Sequence, residues 1–162
     1  MSASTNMLSD AKAVYALAPT AATVAKSIAA AGPIQDIIGN EEVAVVKVEE
    51  ASNSLLRILQ VTDSGDGIKT TLTAIQHCLL GLSAPSGTVI TDIKSAISTG
   101  PSAASQALAI AAAGPILDFK GMMNQVLVTL QELFNLYSLI KQGTDSSDPN
   151  LTTVNNILTA LT

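Results

Sequence analysis

His77 and Cys78 are the only histidine and the only cysteine in the chain, and they are adjacent. A thiol beside an imidazole is the raw material of nucleophilic catalysis. Neighbours on a helix, however, point about 100° apart, and no third residue is present to orient the pair. They read as packed side chains. Metal chemistry fails by count, because one His and one Cys cannot close a transition-metal site without carboxylates.

The acidic residues fare no better as chemistry. Asp63-Ser-Gly-Asp66-Gly and Asp145-Ser-Ser-Asp148 resemble the start of a calcium loop. Such a loop needs ligands at alternating positions and a closing bidentate glutamate, and none follows. These aspartates therefore read as turn and capping residues, Asp66 and Asp148 each starting a helix. Glu41-Glu42 and Glu49-Glu50 could do acid–base work as pairs. With Lys47 and Arg57 interspersed, they read instead as a solvated helix face. Neither GxGxxG nor GxxxxGK[ST] occurs, so phosphate-binding loops are absent. No catalytic, metal or cofactor residue is assigned, and an enzyme is the least favoured class.

One segment stands apart. Between Phe119 and Ile140 only Lys120 and Glu132 are charged. Phe119, Met122, Met123, Val126, Leu127, Leu130, Phe134, Tyr137 and Ile140 recur at helical spacing. A helix this apolar is either the central helix of a bundle, or it meets another subunit or an apolar ligand. Phe119, Met122, Met123, Leu127, Leu130, Phe134, Tyr137 and Leu139 are the candidate contacts for that purpose.

The composition narrows the partners. The formal charge is −5, from 8 basic and 13 acidic residues. No basic patch exists to follow a nucleic acid backbone or an anionic membrane surface. The stretch Ser95 to Leu117 is uncharged, but its Gly-Pro pairs and hydroxyl residues disqualify it as a membrane span. The opening Met1-Ser-Ala-Ser-Thr-Asn lacks the basic-then-apolar pattern of a signal peptide. A soluble protein of unassigned compartment is expected.

The elements that must carry these residues come from a duplication. Shifted by about 82 residues, the chain registers on itself without a gap, about a third of positions being identical. Ile28-Ala-Ala-Ala-Gly-Pro-Ile34 falls on Ile110-Ala-Ala-Ala-Gly-Pro-Ile116, Thr62-Asp-Ser on Thr144-Asp-Ser, and Asp66 on Asp148. Each copy predicts four helices. The first covers Leu8 to Leu17 or Val89 to Ser98. The second runs from Pro19 or Pro101 to Gly32 or Gly114. Pro33 or Pro115 then opens a long third helix, to Val61 or Gln142, which Gly39-Asn40 would kink in the first copy. The last follows Asp66 or Asp148. Val43-Ala-Val-Val-Lys-Val48 is the best strand candidate, a minor one.

The expected fold is all-α, a helical bundle of two tandem four-helix repeats of about 80 residues (1–82 and 83–162) packed as one unit. The expected function is non-enzymatic: a structural or self-assembling protein that self-associates through apolar helix faces. The alternative is a carrier or surface binder for an apolar small molecule such as a fatty acid or sterol.

Overall fold

A computed structural model describes residues 6–30, 36–81, 88–112 and 118–162. Among them lie eight α-helices and no strand: α1 (Met7–Ala16), α2 (Ala21–Ala30), α3 (Ile37–Gln60), α4 (Ile68–Leu80), α5 (Val89–Thr99), α6 (Ala103–Ala112), α7 (Phe119–Gly143) and α8 (Asn150–Leu161). The chain is an all-helical, bundle-like fold.

The two long helices form because each carries an unbroken stripe at alternating spacings of four and three. In α7 the stripe is Phe119, Met123, Val126, Leu130, Leu133, Tyr137 and Ile140, all buried. In α3 it is Ile37, Glu41, Ala44, Val48, Ala51, Leu55 and Ile58. Residues so spaced share one face, and the two faces close on each other as the central pair of the bundle. The pair runs in opposite directions: Glu41, near the start of α3, acts electrostatically on Tyr137 and Asp148, at and beyond the end of α7. Around it, α1 and α4 pack on α3, and α5 and α8 on α7. Contacts of α1 with α8 and of α4 with α5 close the ring. One apolar core results, drawn from both halves of the chain.

Capping fixes where the long helices begin. Asp36 accepts a hydrogen bond from Gly39 N (2.9 Å) and Asp118 from Gly121 N (2.9 Å). In both places a Cβ on the glycine would collide with the capping carboxyl. Gly39 therefore belongs to an N-terminal cap, and the kink expected at Gly39-Asn40 is replaced by a helix start. The expected start at Pro33 or Pro115 is corrected in the same way. The Gly32-Pro33 and Gly114-Pro115 corners themselves lie outside the described residues. Val43 to Val48, the strand candidate, is a stretch of α3.

Candidate functional site

The apolar helix singled out by its lack of charge is α7, and its candidate residues divide between two environments. Phe119, Met123, Leu130 and Tyr137 are buried in the core. Met122, Leu127 and Phe134 are half-buried against it, and Leu139 is half-buried too. The excess apolarity of α7 is thus mostly consumed by its position at the centre of the bundle. Of those outside the core, Phe134 lines two clefts. A cleft of about 460 Å³ lies between α7 and the end of α8, lined by Phe134, Ser138, Lys141 and Leu158. A second, of about 380 Å³, brings Phe134 together with Ile90 of α5. Both are open to solvent.

A stronger departure from ordinary packing is found in α2 and α6. Each buries a hydroxyl-bearing side chain in its first turn and turns large apolar ones outward. In α2 the buried side chains are Thr23 and Ser27, while Val24 and Ile28, one turn apart, face solvent. In α6 Ser105 and Ala109 are buried, while Leu108 and Ile110 are exposed. Ile28 is 62% exposed and Ile110 is 69% exposed, an uncommon setting for isoleucine on a helix with a buried side to offer. Nothing in the sequence pattern of these Ala-rich helices marked which face would turn inward.

The reason lies in what the buried hydroxyls reach. Asp148 Oδ2, in the loop after α7, accepts from Thr20 N (3.1 Å) and Thr23 Oγ1 (2.6 Å) at the start of α2. Thr23 Oγ1 in turn accepts from Asp145 N (2.9 Å). Asp66 Oδ2, in the loop after α3, accepts from Ser102 N (2.8 Å) and Ser105 Oγ (2.5 Å) at the start of α6. Ser105 Oγ accepts from Asp63 N (2.9 Å). The other carboxylate oxygen of each aspartate serves its own chain neighbour, accepting from Ile68 N (3.1 Å) or Asn150 N (3.0 Å). Capping was legible for these aspartates; their second partners, far away in the sequence, were not. Burial works to raise both carboxyl pKa values, but the hydrogen bonds outweigh it and hold them below the ordinary 3.8. Two further bonds hold α2 alone: Ser27 Oγ donates to Gly143 O (3.1 Å) and Lys26 Nζ to Thr144 O (3.1 Å).

Glu41 overturns the expectation of a solvated acidic face. Its neighbour Glu42 is exposed, but Glu41 is 2% exposed, and its Oε2 has no hydrogen-bond partner. Burial, reinforced by the nearby charge of Asp148, pushes its pKa up to about 8. The hydroxyl of Tyr137, also buried and also unpartnered, is pushed up by burial and by the charges of Glu41 and Asp10. The remaining acids of that face behave as expected of surface residues, Lys12 pairing with Glu49 (3.4 Å) and Lys47 with Glu132 (2.5 Å).

Cys78 is buried and His77 half-buried. Among the described residues no group of three or more His, Cys, Asp or Glu side chains is placed to hold a metal ion, and no helix is long and apolar enough to cross a membrane. No protein-family profile, curated protein or solved structure matches the chain.

Proposed function

We propose that this chain is a non-enzymatic protein that self-associates through apolar helix faces, and that the faces concerned are the outer sides of α2 and α6. The observation carrying this reading is their inverted burial, with Val24, Ile28, Leu108 and Ile110 presented to solvent. Apolar groups held outward by polar anchors on the inner side gain by meeting another apolar surface. A second copy offers the same two faces, as a symmetric contact requires. The test is native mass spectrometry together with light scattering on the full chain. A defined oligomer is expected, and Ile28→Glu with Ile110→Glu should return it to a monomer with unchanged helix content. A wild-type monomer at every concentration would sink the proposal.

A carrier of an apolar molecule is the second reading, favoured by the two clefts that meet at Phe134. A monomer with an added mass in the fatty-acid or sterol range would replace the first reading with this one.

We further propose that the chain is a tandem duplication, with repeats 1–82 and 83–162. In support, α1 to α4 begin at Met7, Ala21, Ile37 and Ile68, and α5 to α8 begin at Val89, Ala103, Phe119 and Asn150, each at the register found in the sequence. The two aspartate anchors are equivalent in that register, and each crosses to the other half.

A further inference from the structure

Phe134 and Thr162 line both clefts described above, so the two adjoin across the Phe134 ring. Together they form one groove, from Leu158 on α8 to Ile90 on α5. Its wall carries one charged side chain, Lys141, and no acid. At about 460 and 380 Å³ the clefts are within the roughly 300–1,000 Å³ typical of small-molecule sites. We propose that this groove binds a single-chain amphiphile with an anionic head, a long-chain carboxylate, whose chain covers Phe134, Leu158 and Ile90 and whose head pairs with Lys141.

The first half of the chain shows what the second half lacks. In the register of the sequence, Ser52 stands for Phe134 and Gln76 for Leu158. Those two are buried and satisfy each other, Gln76 Nε2 donating to Ser52 Oγ (2.9 Å). Leu59 stands for Lys141, so the first half offers no cation there. Beside them Lys12 pairs with Glu49 (3.4 Å). The corresponding residues are Lys94, one turn along α5 from Ile90, and Gln131, which lines the smaller cleft. The lysine is retained, but the carboxylate has become an amide. Among the described residues neither Lys94 nor Lys141 makes an ion pair. In a chain of net charge −5, α5 and α7 thus carry two uncompensated cations beside an apolar groove. An anionic head answers the charge, and an alkyl chain removes Phe134, Leu158 and Ile90 from water. A neutral sterol would answer only the second. The proposal rests on the second reading above, uptake of an apolar molecule at Phe134, and is separate from association through α2 and α6.

The test is isothermal titration calorimetry of the full chain at neutral pH with three probes of equal chain length, each below its micelle concentration. They are dodecanoate, dodecanol and dodecyltrimethylammonium. Dodecanoate is expected to bind, and Lys141→Gln should weaken it roughly fivefold, the upper range for a solvent-open ion pair, while leaving dodecanol unchanged. Lys141→Glu should exclude dodecanoate and favour dodecyltrimethylammonium. Ser138→Leu, which supplies the leucine that the first half has at Leu56, should fill the larger cleft and weaken dodecanoate and dodecanol alike. Helix content measured on each variant confirms that it is folded, and repeating the titration on the Ile28→Glu, Ile110→Glu variant separates binding from association. No binding of any probe would sink the second reading and this inference with it. Dodecanol binding with dodecanoate indifferent to Lys141→Gln would leave the second reading standing and overturn the anionic ligand. Unchanged binding in Ser138→Leu would place the ligand elsewhere and overturn the groove.

Discussion

Asp66 and Asp148 each divide their two oxygens between a helix that follows in the chain and one that is distant in it. The hydroxyls of Ser105 and Thr23 complete the distant half of this arrangement, each donating to the carboxylate and accepting a backbone N–H from the same loop. Removing either hydroxyl leaves a buried carboxylate oxygen short of a donor and a backbone N–H short of an acceptor. Thr23→Val and Ser105→Ala should therefore each cost about 1–3 kcal/mol in denaturant unfolding. The two sites share no hydrogen-bond partner, so the double variant should be close to additive. A neutral result at both would mean that the anchors are solvated rather than structural. Glu41 teaches a different lesson at this scale. Its position at the four-and-three spacing of the α3 stripe was readable, but its residue type and the acidic neighbour Glu42 argued for solvent. Position decided the outcome.

Helix existence was readable because caps and spacing agree in most elements. The starts of α3 and α7 were misplaced because proline suits a first turn, whereas the cap in each case is the aspartate three residues further on. The apolar α7 was recognised, but which of its side chains turn inward was only half legible: Met122, Leu127 and Phe134 are only partly buried beside the stripe that holds Met123, Leu130 and Tyr137. With so few charges on the helix, sequence alone had little to mark its outer side. This division can be tested on one element. Met123→Glu places a carboxylate in the apolar core at a fully buried position and should cost several kcal/mol, on the order of 3–5. Val128→Glu, at an exposed position of the same helix, should leave the unfolding midpoint nearly unchanged. Similar losses for both would show that the outer side of α7 is covered too, and would return it to the list of association faces.

For the molecule as a whole, the buried acids set opposite limits. Asp66 and Asp148 are held below the ordinary 3.8, so their stabilisation is present above that value and is lost as pH falls through their lower folded values. Glu41 is raised from 4.5 to about 8, so the folded state keeps a proton that the unfolded chain gives up, and stability declines as pH rises between those values. The decline from this one group is at most about 1.4 kcal/mol per pH unit. Thermal unfolding should accordingly be latest at about pH 4–5, an acid-side maximum. Glu41→Gln should flatten the fall towards neutral pH while leaving the acid limb intact. A maximum at neutral pH in the wild type would contradict the burial of Glu41. The crossed anchors carry one more consequence. Fragment 1–81 contains Thr20, Thr23 and Asp66 but not the carboxylate that its own α2 uses, and fragment 88–162 is deprived of Asp66 in return. Expressed together, the fragments should find each other and rebuild the bundle; expressed alone, each has the right groups to serve an identical twin. Each half is then a creditor of the other, and the peptide that joins them sets their proportion at one to one rather than their shape.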